Sequence, residues 1–317
     1  MSKLNDALDK LKKRYGEGTP TYGKDLVYMP VDCISTGSLL LDRAIGTGGF
    51  PKGRVTEVYG WEDSAKTTLC QLFIAQAQKL GTCMWINMER TLERDWAEAC
   101  GVAWDDLLIS NPDTAEMAME IVEAVVRSGE VIAIVVDSVA TLVPRAEVEG
   151  DIGSGQYGSQ ARVISQSLRK INPVLQISGT ALVFVNQLRV KLGGWTPNPS
   201  ITPETTSGGK SLGFYASLRL RLSAKKEEDA IYVSTQSIKN KIGGKFKAKC
   251  TFPIDYGGKV DTISEILDIA VEAGTIEHKG GGNFAYGEHK WRGKETVLQS
   301  LRDDEKLCAE LTERIRK

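Results

Sequence analysis

The nine residues Gly60-Trp61-Glu62-Asp63-Ser64-Ala65-Lys66-Thr67-Thr68 place a glycine, a small residue five positions on, a lysine and two hydroxyls in one short stretch. This spacing follows G-x-x-x-x-G-K-[ST], a loop whose backbone N–H groups cradle phosphates where a strand turns into a helix. Lys66 has the reach and charge to meet the β- and γ-phosphates of a nucleotide, and the Thr67 hydroxyl is suited to hold Mg²⁺. Ala65 stands where the pattern has its second glycine. Its Cβ is expected to crowd a phosphate or to strain a conformation that glycine takes freely. Asp63 adds a negative charge to the same loop.

Two acids downstream carry matching chemistry. Residues 131–137 (VIAIVVD) form an apolar run ending in Asp137, the arrangement that orients Mg²⁺ beside a phosphate loop. Residues 83–87 (CMWIN) form another apolar run, and Glu89 follows it. A polar group just past the carboxyl end of a strand faces the ligand crevice of an open α/β sheet. Glu89 is therefore a candidate general base, where without these neighbours it would read as a solvated acid. The run ALVFVNQ (181–187) ends in Asn186 and Gln187, two amides that could sense a γ-phosphate or simply satisfy a strand end.

These residues need elements to hold them. Residues 55–59 (VTEVY) read as a buried strand and LCQLFIAQAQKL as the helix after the loop. Residues 34–54 hold a short helix and a glycine-rich turn. Residues 113–127 read as a helix opened by a capping box of Asp113 and Glu116. Apolar strands alternating with helices predict an α/β fold with a mostly parallel sheet covered on both faces.

Two segments rich in Gly, Pro, Ser and Thr interrupt the alternation, at about 149–160 and 188–209. Each begins beyond a strand with a proposed nucleotide contact. Arg162, Arg169, Arg189 and Lys191 flank them, Tyr157, Leu192 and Trp195 lie within them, and Gly208 and Gly209 close the second. Cations with large side chains on long loops suit single-stranded nucleic acid; the alternative is a lid over the nucleotide. Lys239, Lys241, Lys245, Lys247 and Lys249 make a basic run that could be a solvated strand edge. Past Gly257-Gly258 the composition shifts. Residues 262–273 and 295–315 read as helices around a glycine-rich hairpin, a small second domain. There Lys279, Lys290, Arg292 and Lys294 suit either a duplex backbone or a plain charged surface. At the other end, residues 2–15 carry Leu4, Leu8, Leu11 and Tyr15 at helical spacing. The polar stretch YGEGTPTYGKD follows, so this helix must bury its stripe on its own domain or on a neighbouring copy.

The 317 residues carry a net charge of −1, so any nucleic-acid binding rests on local patches. Six scattered cysteines without a C-x-x-C pair point to free thiols in a reducing compartment. Two histidines leave little room for a His-rich metal site. With no signal peptide or apolar span, the expectation is a cytoplasmic protein with no membrane partner.

The segments ISTGSLLLDRAIG, GRVTEVYG, IVVDSVATLVPRAEVEGDIG, FVNQLRVKLG, PETTSGGKSLGFYAS and IKNKIGG together resemble the RecA recombinases, bacterial or phage, along nearly the whole chain. The resemblance implies an N-terminal docking helix with its linker over 1–30 and a P-loop ATPase core over 31–257. A small α/β C-terminal domain over 258–317 would contact duplex DNA. It implies a helical homo-oligomer on single-stranded DNA that pairs homologous strands, with duplex DNA as second substrate. ATP and Mg²⁺ would lie between protomers. By this resemblance Gly60 to Thr68 surround the phosphates, Thr67 and Asp137 serve the Mg²⁺, and Glu89 activates the attacking water. Gln187 would couple the γ-phosphate to the second DNA loop. Trp96 would stack on adenine, Glu93 contact the base, and Lys239 and Lys241 reach the ATP of the next protomer. Ala65 leaves open a filament that binds ATP but hydrolyses it weakly. A hexameric, helicase-like motor on the same core is a third reading, against which the N-terminal helix and C-terminal domain argue. The second loop is longer and richer in proline than the bacterial form. The sequence closes at Lys317 without the acidic tail of many bacterial members, which implies freer DNA access.

Overall fold

The computed structural model describes residues 3–16, 18–25, 30–151, 158–190, 204–244 and 247–316. The chain forms two compact units, residues 1–31 and 32–317. The first holds helix α1 (Lys3–Tyr15), in which no residue is buried and Leu4, Leu11 and Tyr15 are exposed.

The second unit opens with strands β1 (Cys33–Ile34) and β2 (Phe50–Pro51), which pair antiparallel and enclose helix α2 (Leu39–Ile45). Its main sheet contains β3 (Val55–Gly60), β4 (Thr82–Asn87), β5 (Leu107–Ser110), β6 (Val131–Asp137), β7 (Ala181–Val190), β8 (Glu204–Thr206), β9 (Leu218–Lys226), β10 (Ala230–Asn240) and β11 (Lys249–Asp255). The order is β11-β10-β9-β3-β7-β6-β4-β5, with β8 paired to β7 alone. Strands β9 through β5 in that order are mutually parallel, and β10 and β11 close one edge antiparallel. The fold is therefore α/β with a mostly parallel sheet.

Successive strand side chains point to opposite faces, and the core divides accordingly. Val58, Cys83, Trp85, Val135 and Val183 join Leu69 and Phe73 of helix α3 (Lys66–Ala77) in one cluster. Met84, Ile86, Ile134, Val136 and Phe184 join a second cluster on the other face, with helices α5 (Ala115–Ser128) and α7 (Ser159–Ser178). The short helices α4 (Arg94–Ala99) and α6 (Arg145–Val148) precede α5 and α7 respectively along the chain. A one-turn helix α8 (Ser211–Tyr215) leads into β9.

The predicted capping box is corrected by one residue. Thr114, in extended conformation, is the N-cap of α5 and accepts from the Met117 N–H. Asp113 pairs with Arg90, and Glu116 accepts from the Arg145 N–H. Asp-Thr offers two capping side chains in a row, and the fold uses the second.

The last sixty residues hold helix α9 (Thr262–Glu272), strands β12 (Glu277–His278), β13 (Asn283–Tyr286) and β14 (His289–Arg292), and helices α10 (Lys294–Asp303) and α11 (Glu305–Arg316). They bury their own cluster around Leu267, Ile276, Trp291, Leu301 and Leu311. The expected hairpin gains a third strand. The single helix expected over 295–315 is two helices, because Asp304 leaves the helical region (φ −116°, ψ 91°) and its carboxylate accepts from the Lys306 and Leu307 N–H groups that start α11. All six cysteines are free thiols. Among the described residues no helix is long and apolar enough to cross a membrane.

Candidate nucleotide site and the strands leading from it

Strand β3 ends at Gly60, where a Cβ would lie 2.4 Å from both the Leu222 carbonyl and the Ser64 hydroxyl, so only glycine fits. The loop then folds onto the Trp61 carbonyl, which accepts from the Ser64 hydroxyl at 2.7 Å and the Lys66 ammonium at 2.6 Å. Lys66 is 9% exposed, and burial lowers its pKa from the usual lysine range against the opposing pull of Asp137 and Glu89. Ala65 is the N-cap of α3 at φ 60°, ψ 28°, with no side chain capping the helix. Free N–H groups at a helix start, beside a lysine, fit a phosphate group. The strain expected at Ala65 is thus present, at about 1 kcal/mol for an alanine in the left-handed region. Its methyl packs against the apolar cluster of α3 and the sheet. Asp63 also has positive φ (57°), and its carboxylate lies 3.5 Å from Lys226, both largely exposed.

The acids meet at the ends of neighbouring strands. Asp137 is 5% exposed and accepts from the Thr67 hydroxyl at 2.9 Å. Burial pushes its carboxyl up to about 7, while the Thr67 hydrogen bond pulls the other way. A buried carboxylate hydrogen-bonded to a hydroxyl at a helix start is an oxygen pair that fits a divalent cation with phosphate. The Asp137 carbonyl accepts from the Met88 and Glu89 N–H groups, which holds Glu89 beside it. The Glu89 carboxylate accepts from the Ser138 hydroxyl and, at 3.2 Å, from the Gln187 side-chain amide. Sequence reasoning missed Ser138, since a serine after a strand carries no signal of its own.

Asn186 and Gln187 separate in role. Asn186 is fully buried; its amide donates to Glu57 at 2.9 Å and the Ser207 carbonyl at 3.0 Å, and its oxygen accepts from the Gln187 N–H. It belongs to the framework, which is the second of the two readings open for this amide. Glu57 is also fully buried and holds Arg219 at 2.5 Å, with that guanidinium over the Tyr59 ring. A charge inside the apolar run VTEVY was the available sign of this pair.

The remaining candidates spread over several elements. The Trp96 indole N–H donates to Thr68 at 3.3 Å, which brings it to the first turn of α3; Glu93, exposed, is the N-cap of α4. Glu62 is exposed in the loop. Arg162 and Arg169 are exposed on α7, where Arg169 lines a cleft with Glu116, Glu120 and Glu123 of α5. Arg189 is exposed on β7, opposite Thr205 of β8. The second loop is thus partly a hairpin: β7 runs three residues past Gln187, and β8 pairs back over Leu188, Arg189 and Val190. Gly208 and Gly209 both have positive φ, and a Cβ at Gly208 would collide with Ile164 and Val139. Lys239 donates to the Gly213 and Phe214 carbonyls, and Lys241 follows the end of β10. Tyr157, Lys191, Leu192, Trp195 and Lys245 lie outside the described residues.

The model of the RecA N-terminal domain matches residues 2–261. Protein RecA of Bordetella petrii is 42% identical, covering 99% of this chain and 88% of its own. Protein RecA of Thermus thermophilus is 42% identical and that of Thermus aquaticus 43%, each covering 98% of this chain and 93% of its own. A family match across most of the sequence and relatives alike from end to end agree with a phosphate loop, a buried strand-end aspartate and an acid beside it on one sheet: the chain belongs to the RecA family.

Proposed function

We propose that this chain is a DNA-dependent ATPase that assembles as a helical filament on single-stranded DNA and pairs it with a homologous duplex. The observation that carries the reading is the bond between Glu89 and Gln187. It joins a candidate base at the nucleotide site to the strand that runs on into the second loop. ATP supplies the phosphoanhydride, and Mg²⁺ would be held at Thr67 and Asp137, where it neutralises phosphate charge.

The chain's own groups divide the work. The free N–H groups of α3 and the Lys66 ammonium bind phosphate, which requires Lys66 to leave the Trp61 carbonyl. Glu89, aligned by Ser138, takes a proton from water. Gln187 gives up or keeps its bond to Glu89 according to what that carboxylate faces, and β7 moves with it. Lys239 and Lys241 would supply charge to the site of an adjoining copy, and the exposed stripe of α1 would dock on one. The loops around 149–160 and 188–209 would carry the strand, and the last sixty residues the duplex.

Imaging the protein with single-stranded DNA and a non-hydrolysable ATP analogue tests this. Helical filaments that need both are expected; isolated protomers or closed rings would reject it. The strained Ala65 favours a second reading, in which nucleotide gates the filament and turnover is weak. ATP turnover near background with and without DNA, alongside nucleotide-dependent filaments, would select that reading.

A further inference from the structure

Trp61 occupies an unusual place: its main chain and its side chain serve two different parts of the molecule. Its carbonyl is the acceptor on which the Lys66 ammonium rests, at 2.6 Å. Its indole N–H donates to the Glu204 carboxylate at 3.1 Å. Glu204 is the first residue of β8 and is paired in register with Val190 of β7. The same carboxylate is held from the other side by Arg221 of β9 at 2.9 Å. The stem formed by β7 and β8 is therefore gripped twice from the nucleotide site. Gln187 holds the β7 side through Glu89, and Trp61 holds the β8 side through Glu204.

The two grips respond to different events. Glu89 responds to whatever stands before the base. Trp61 responds to Lys66, because a phosphate that draws the ammonium away removes one of the two donors fixing the Trp61 carbonyl; the Ser64 hydroxyl is the other. Held by Ser64 alone, the peptide can turn about that remaining bond, and the indole turns with it. Trp61 is 43% exposed, so no core packing opposes that turn. Glu204 then passes from a shared acceptor of Trp61 and Arg221 to a partner of Arg221 alone.

We propose that Trp61 is a positioning residue that reports phosphate-loop occupancy to β8, a second tether beside Gln187. The inference rests on the proposed function, since it concerns how nucleotide alters DNA affinity. The reporter acts through one N–H, so Trp61→Phe keeps the ring and removes only the donor.

The readout is linkage: the factor by which a non-hydrolysable ATP analogue tightens binding of a fluorescent single-stranded oligonucleotide. Trp61→Phe is expected to cut that factor about threefold to tenfold, the range for an ordinary net hydrogen bond, since exposure screens the charge of the acceptor. Glu204→Ala is expected to cut it at least as far, and the double variant no further than Glu204→Ala alone. In protein labelled with 5-fluorotryptophan, the fluorine resonance lost in Trp61→Phe should shift on adding the analogue, as the indole leaves Glu204, and in Glu204→Ala should already lie off the parent's nucleotide-free position before any analogue is added. A linkage factor within twofold of the parent in Trp61→Phe, losses that multiply in the double variant, or a resonance that keeps the parent's nucleotide-free position in Glu204→Ala would overturn the tether. A parent whose DNA affinity ignores the nucleotide would instead sink the proposed function.

Discussion

Glu265→Gln is expected to gain stability over the parent as pH rises from 5 to 8.5. Glu265, on α9, is 2% exposed. Its two oxygens accept from the Ser38 hydroxyl and the Leu39 N–H, both at 2.6 Å, at the start of α2. Burial outweighs these bonds, and buried Asp42 adds to it, so the carboxyl is pushed from 4.5 up to about 7. The folded chain therefore holds a proton that the unfolded chain releases. The stability this confers is fully present below about pH 4.5 and lost as pH rises through about 7. At about 1.4 kcal/mol per unit the total is on the order of 3 kcal/mol, of which roughly 2–3 falls between pH 5 and 8.5. Glutamine copies the protonated acid, with its oxygen accepting from Leu39 and its amide donating to Ser38. Urea unfolding of both proteins at the two pH values, followed by far-UV circular dichroism, measures the change. Asp137 titrates in the same range, but it is common to both proteins and cancels in their difference. A difference that stays constant with pH, or a variant that loses ground at pH 8.5, would refute the reasoning. It would mean that α2 requires the ionised carboxylate.

Three further outcomes follow from the site. Ala65→Gly relieves a positive φ at the cost of a more flexible unfolded chain, so its urea midpoint should move by no more than about 1 kcal/mol equivalent; DNA-stimulated phosphate release should rise if the strain slows turnover. Glu89→Gln should lower DNA-stimulated ATP turnover by about 10²–10⁴, the range for losing a general base, while analogue-dependent DNA binding persists in a fluorescence titration. Glu57→Ala leaves Arg219 without its partner and Asn186 with an unmet donor, so chemical unfolding should register a loss of about 3–5 kcal/mol.

What the sequence made legible was the part governed by short-range rules. The phosphate loop, Asp137 and Glu89 were readable because each sits at or just past the end of an apolar strand, and all strand ends of a parallel sheet emerge on one edge. Trp61 was readable as a loop residue but not as a donor to Glu204, because the two are 143 positions apart and only the strand order brings them together. The same holds for Glu57 with Arg219 and for Ser38 with Glu265, which no local pattern relates. Asn186 stays undecided in the sequence because a strand-end amide looks the same whether it faces a ligand or the core; alternation decides, and Asn186 lies beside Glu57 while Gln187 does not. The β7–β8 stem was hidden by composition, since the glycines and prolines around it signalled only loop.

The sheet order explains why one ligand could act on so distant a segment. Chain order runs β3, β4, β6, β7, yet spatial order runs β3-β7-β6-β4. This inserts β7 between the strand that feeds the phosphate loop and the strand that ends in Asp137. Gly60 and Gln187 are register partners across β3 and β7. A ligand reaching from Lys66 to Asp137 would therefore pass the end of β7. The strand does not stop there: it continues three residues and is paired back by β8, whose first residue is bonded to the phosphate loop. The stem thus leaves the site on β7 and returns to it at Glu204. Under the proposed tether, a stem bonded at both feet to one site would carry a change there along both of its strands, and that is the mechanical requirement for binding at one end to alter binding at the other.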